Sequence, residues 1–153
     1  MIDKIDAQLL RLVQRDARQT IKSLADQLGV APSTCMDRLR GLSQRGVILG
    51  YHAEVSPTAL GRTLQAVVSV RLSPKTPDIV ERFIAHVWAL DETLAITLLS
   101  GENDVEVHLA VADSDHLRRI VLNSVATYPG VADERTSLVF EHRRKTEFGP
   151  LVG

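Results

Sequence analysis

Four side chains capable of hydrogen bonding stand close together in the first third of the chain: Ser33, Thr34, Asp37 and Arg38. Their types suit contact with a nucleic acid. Small hydroxyls approach base edges and phosphates, and an arginine reaches a guanine edge bidentately or a backbone phosphate. Arg40 and Arg45 add charge at the flank, where phosphate contacts are made. No grouping of this kind points to catalysis or to a metal. Cys35 is the one cysteine, which excludes an intrachain disulfide, and the five histidines (His52, His86, His108, His116, His142) are scattered without zinc-site spacing. Each histidine fits a surface or structural role, so no metal, catalytic residue or cofactor is expected.

A helix must hold these polar residues in one orientation. Cys35, Leu39 and Leu42 recur at i, i+4 and i+7, with Met36 beside them, so one stripe faces a core and the polar residues lie away from it. Pro32 suits the first turn of that helix. Ahead of it, Ile21, Leu24, Ala25 and Leu28 form a second apolar stripe that stops at Gly29, the residue type that closes a helix with φ > 0. Thr20 is its expected N-cap. Two helices joined by a tight glycine turn outline a helix-turn-helix. A preceding helix is expected over 1–17, with Ile5, Leu9, Leu12 and Val13 inward and Asp3 and Asp6 at its N-terminal end, where the helix dipole favours carboxylates. Arg45 and Gly46 end the third helix. The β-rich run that follows predicts a strand over 47–55, and Ser56, Pro57 and Gly61 mark a hinge at 56–62.

The second half alternates between periods. Strands are expected at 64–72, 93–100, 104–112 and 131–143, and helices at 77–90 and 117–128. The order β-α-β-β-α-β is the split βαβ of ferredoxin-like folds. Two helices cover one face of such a sheet. On 64–72 both faces carry valines, which predicts an apolar bare face buried by a second subunit. The domains expected are 1–55 and 63–145, with a free tail at 146–153 carrying Gly149 and Pro150.

With 44% hydrophobic and 24% charged residues, the composition is that of an ordinary globular chain. No apolar run is long enough to span a bilayer, and MIDKIDAQLL lacks the basic start and apolar core of a signal peptide, so a cytoplasmic location is expected and a membrane partner is not. The net charge of −1 divides into +2 over 1–60 and −3 over 61–153. One copy therefore attracts phosphate weakly, and a dimer presenting two heads partly offsets that.

Several fragments, in their order and spacing, resemble the Lrp/AsnC (feast/famine) family of transcriptional regulators. They are DKID at 3–6, DARQTIKSLADQLGV at 16–30, PSTCMDRLRGLSQRGVILGY at 32–51, SGEND at 100–104 and PGVADERT at 129–136. The resemblance implies an α+β chain, with an N-terminal winged-type helix-turn-helix and a C-terminal ferredoxin-like βαββαβ (RAM/ACT-like) domain for ligand sensing and oligomerisation. It implies double-stranded DNA and a small effector, usually an amino acid, as partners. It also implies homodimers assembling into octamers, and a nucleoid-associated location. Carried over residue by residue, it makes Ser33, Thr34, Asp37, Arg38 and Arg40 the DNA-facing positions, and Gly101, Asp104 and Thr136 the effector positions, with Glu102 and Asn103 as turn neighbours. A carboxylate such as Asp104 would answer an α-amino group, and glycine-turn N–H groups an α-carboxylate. Ala31 stands where the family usually has a capping serine, and Glu102-Asn103 where it has an aspartate-aromatic pair. Two alternatives to an effector-responsive regulator are an architectural DNA-binding protein without effector and a subunit resembling sirohaem decarboxylases.

Overall fold

The computed structural model describes residues 2–151. The chain folds as two compact units. One contains the residues up to Glu54 together with those from Arg143 onward, and the other is Val55–His142.

The first unit contains three helices, α1 (Lys4–Arg15), α2 (Ile21–Leu28) and α3 (Pro32–Gln44). Each start is visible in the chain. The Asp3 carboxylate accepts from the Asp6 N–H at 2.7 Å, and the Thr20 hydroxyl from the Ser23 N–H at 3.1 Å. Helix α3 begins at Ala31 with no side-chain cap, relying on Pro32 in its first turn. Gly29 takes φ +67° and lets α2 turn into α3. The apolar stripes meet in a core of Leu9, Val13, Leu24, Ala25, Cys35 and Leu42. Met36, expected beside the core, is instead about half exposed.

The strand expected at 47–55 does not form, so the first unit is a three-helix unit without a wing among the described residues. The backbone N–H groups of Val47 and Ile48 both turn back to the Leu42 carbonyl (2.9 and 3.3 Å), wrapping the chain onto the end of α3. Leu49 beyond them is exposed. A β-rich run becomes a strand only with a neighbour to bond, and among the described residues of this chain none pairs with 47–55.

The second unit opens with a 3-10 turn at Thr58–Leu60, in the stretch expected as a hinge, followed by β1 (Leu64–Leu72), α4 (Pro77–Trp88), β2 (Thr93–Leu98), β3 (Val105–Val111), α5 (Ser114–Ile120) and β4 (Val131–Leu138). Helix α5 continues as a π-helical turn over Val121–Val125. The sheet order is β2-β3-β1-β4, with every neighbouring pair antiparallel. On one face Val68 and Val70 of β1 and Val105, Val107 and Leu109 of β3 are fully buried against Phe83 and Val87 of α4 and Val125 of the π turn. The Phe83 and Tyr128 rings meet edge-on at 5.4 Å. His86 Nε2 donates to the Ser124 carbonyl at 2.8 Å, tying α4 to the π turn and giving this histidine a structural role.

The opposite face corrects the expectation of an apolar surface. The register places Thr97, Glu106, Ser69 and Arg135 in one cross-strand row and Ala95, His108, Val67 and Ser137 in the next. Arg71 pairs with Asp133 beyond them. Strand β1 alone carries valines on both faces, but its neighbours supply charge and hydroxyls. The last strand also stops at Leu138, short of the expected 143. The expected free tail differs as well, because Glu147 and Phe148 are bonded to α1. Residues 152–153 lie outside the described residues.

Candidate nucleic-acid interface and effector turn

Helix α3 presents Ser33, Thr34, Asp37 and Arg40 to solvent, while Cys35 and Leu42 hold its other side in the core. Asp37 and Arg40 lie one turn apart, with 3.9 Å between carboxylate and guanidinium. A contact that long between two exposed groups leaves both available to other partners.

Arg38 and Arg45 are placed differently. Arg38 Nη1 donates to Asp3 at 2.6 Å and to Asp6 at 2.7 Å, and its side chain is half-buried. Arg45 Nη2 reaches Asp6 at 3.4 Å, and its Nε donates to the Gly41 carbonyl at 3.2 Å. Asp6 is itself 5% exposed, so two arginines of α3 and its C-cap close over a buried carboxylate of α1. The two acids push the Arg38 guanidinium up from its usual value, Asp3 most strongly. The Asp3 carboxyl is held below the carboxylate range, first by the Asp6 N–H and then by Arg38. The six residues singled out for DNA therefore divide. Ser33, Thr34, Asp37 and Arg40 form an exposed face, while Arg38 and Arg45 fasten α3 to α1.

The unit carries a further set of cations that the sequence expectations omitted. Arg144 and Lys145 line a cleft of about 540 Å³ together with Arg11 of α1. The run His142-Arg143-Arg144-Lys145 is the signal that could have found them.

In the second unit, Gly101, Glu102, Asn103 and Asp104 join β2 to β3. Gly101 takes φ +145°, a conformation side chains disfavour. Glu102 is exposed and lies 3.9 Å from Arg135 of β4. Asp104 is 4% exposed, and its carboxylate is already engaged. Oδ2 accepts from the Leu72 N–H at 2.8 Å, and Oδ1 pairs with Lys75 Nζ at 2.5 Å. Its backbone N–H donates to Val70 and its carbonyl accepts from Leu99. Lys75, and then the Leu72 N–H, hold the Asp104 carboxyl below its ordinary value against the opposing effect of burial. Asp104 thus fastens the turn to the end of β1.

Thr136 lies on β4 rather than in that turn. It pairs with Val68 in the middle of β1. It lines an apolar groove of about 390 Å³ with Ser114, Leu117, Arg118, Val121 and Leu122. The five effector positions therefore occupy two places on the unit. Among the described residues no group of acidic, histidine or cysteine side chains could hold a metal, and no helix is long and apolar enough to cross a membrane.

A helix-turn-helix with an exposed polar face, followed by a four-stranded βαββαβ sheet, defines a class of two-domain DNA-binding regulators. Residues 2–43 match the family model described as the AsnC-type helix-turn-helix domain, and residues 65–147 match that of the Lrp/AsnC ligand binding domain. The chain is 37% identical over 143 residues to the HTH-type transcriptional regulator AldR of Mycolicibacterium smegmatis, covering 94% of this chain and 84% of that one. It is 33% identical to the leucine-responsive regulatory protein of Haemophilus influenzae, covering 96% of this chain and 89% of the relative. A transcriptional regulator of Neisseria meningitidis, solved as its L-Met complex, superposes with a TM-score of 0.86 at 30% identity, covering 95% of this chain and 94% of that one. The chain belongs to the Lrp/AsnC family of transcriptional regulators.

Proposed function

We propose that this regulator binds duplex DNA through the exposed face of α3, with Ser33, Thr34 and Arg40 making the contacts and Asp37 tuning them. Arg38 and Arg45 act as positioning residues that set the angle of α3 through Asp3 and Asp6. The observation that carries this reading is the division of the helix into a solvent face and a face tied to α1. Anisotropy titration of labelled duplexes from the promoter of the protein's own gene tests it. Thr34→Ala and Arg40→Ala should each weaken binding about tenfold or more while leaving the melting curve unchanged. Undiminished affinity in both overturns the assignment.

We further propose that an apolar amino acid regulates assembly or DNA binding, as the L-Met complex of the Neisseria relative supports. The turn at 101–104 and Thr136 are the surfaces assigned to it. With Asp104 engaged by Lys75, the exposed carboxylate for an α-amino group is Glu102. Thermal shift against a panel of amino acids tests the reading, since a ligand that binds only the native state raises the melting temperature with concentration. Loss of the shift in Glu102→Ala supports the turn, and no shift with any amino acid overturns an amino-acid effector. The working form is proposed to be a homodimer assembling into an octamer, which light scattering with and without the amino acid measures.

A further inference from the structure

Residues 143–151 form an arm that belongs to the same compact unit as the helix-turn-helix. Two anchors hold it to α1. The Gln14 side-chain amide donates to the Phe148 carbonyl at 2.9 Å, and Gln14 Oε1 accepts from the Phe148 N–H at 3.2 Å. One residue on, Arg15 forks onto Glu147, with Nε at 2.7 Å and Nη2 at 3.0 Å. A bidentate pair of this kind fixes orientation as well as distance.

The cleft between arm and helix is lined by Arg11, Arg144, Lys145 and Glu147, with Phe148 and Gly149 beside them. Its one acid is already committed to Arg15. Among the described residues, Arg11, Arg144 and Lys145 make no hydrogen bond or ion pair. The Arg11 guanidinium packs against Gly149, where an added Cβ would sit 3.4 Å from Nη2. The arm and α1 thus gather three cations around one acid, Glu147, which is bonded to Arg15 and acts on Arg11 and Lys145 through its charge alone, on a chain whose net charge is −1. Such a grouping fits a polyanion, and phosphate attraction must come from local groupings when the whole molecule supplies none.

We propose that this cleft is a second DNA-contacting surface, in which Arg11, Arg144 and Lys145 hold the sugar–phosphate backbone of the duplex that α3 engages. The proposal rests on the DNA-binding reading of the first unit. It makes residues 143–151 part of the DNA-binding head.

Salt titrations on the full chain test it, using fluorescence anisotropy with a mixed-sequence duplex of about 30 base pairs. Each phosphate contact contributes about 0.9 to the slope of log affinity against log salt, which is about eightfold in affinity at 0.1 M. Arg144→Ala/Lys145→Ala keeps both anchors and should lower the slope by about 1.8. Arg11→Gln, on α1, should lower it by about 0.9 and gives a reading independent of the arm's own fold. Arg82→Ala/Arg119→Ala in the second unit makes the same change in net charge and should leave the slope within about 0.3 of wild type. An unchanged slope in both cleft variants, or an equal drop in the control, overturns the cleft while leaving α3 as the interface. A wild-type chain that binds no duplex overturns both readings.

Discussion

Arg38 of α3 places Nη1 2.7 Å from the Asp6 carboxylate of α1. The Asp6 side chain is nearly sealed from solvent, whereas Arg38 keeps about a quarter of its own surface. The same nitrogen reaches Asp3, the cap of α1, so one guanidinium joins the start of the first helix to the middle of the third. The solvent-exposed face of α3 is thereby tied to a contact on its flank.

Removing that arginine should destabilise the head. Arg38→Ala leaves Asp6 with Arg45 at 3.4 Å as its remaining cation. The urea midpoint should fall, since a hydrogen bond to a charged group is lost and a buried carboxylate is left poorly paired. Urea denaturation of the full chain measures it. Adding Asp6→Asn to the same chain should recover part of the loss, because the orphaned charge is then gone.

Helix α3 should accept a better start. Ala31 occupies the N-cap with extended backbone and no side-chain bond. Ala31→Ser supplies the missing acceptor and should stabilise the unit by about 1 kcal/mol. The readout is an upward shift of the thermal midpoint.

Acid should loosen the second unit through Asp104. Its carboxyl sits below the ordinary value in the folded chain, so its contribution is complete above the unfolded pKa near 4. That contribution is lost as pH falls through the lower, folded value. Asp104→Asn should therefore cost stability at pH 7 and flatten the acid limb of the stability profile. Denaturation midpoints between pH 7 and pH 3, compared with wild type, decide it.

Cys35 should be inert in the folded protein. It is fully buried among Leu9, Leu24 and Leu42, and burial pushes its thiol up from the usual value. A thiol reagent should modify no cysteine under native conditions and one per chain in denaturant.

Periodicity made much of this fold legible. The stripes at Ile21–Leu28 and Cys35–Leu42 locate α2 and α3, and Gly29 locates the turn because only its backbone conformation closes it cheaply. Strand β1 runs over the expected residues, since valines in a short run bounded by Gly61 and Pro74 leave few alternatives. What the sequence left illegible lies where a long-range partner decides. The run from Val47 is β-rich, yet the Val47 and Ile48 N–H groups bond the Leu42 carbonyl. Arg38 lies off the apolar stripe, but its length lets it fold back to two acids more than thirty residues earlier. Asp104 has the composition of a hairpin turn, and only the approach of Lys75 and Leu72 makes it a buried fastener. Gly149 and Pro150 give the arm the look of a frayed end, while its anchors lie 132 and 134 residues away.

Residues that lie 132 and 134 positions apart in the chain are bonded within one unit, and that has a consequence for the order of synthesis. The ribosome delivers α1 to α3 well before Glu147 and Phe148. The head can collapse early around Leu9, Leu24 and Leu42, but the clasp from Glu147 and Phe148 reaches it only after the whole second unit has been made. A prematurely terminated chain would carry all three helices and lack the piece that completes them. An excised fragment ending at Glu54 would share the same defect.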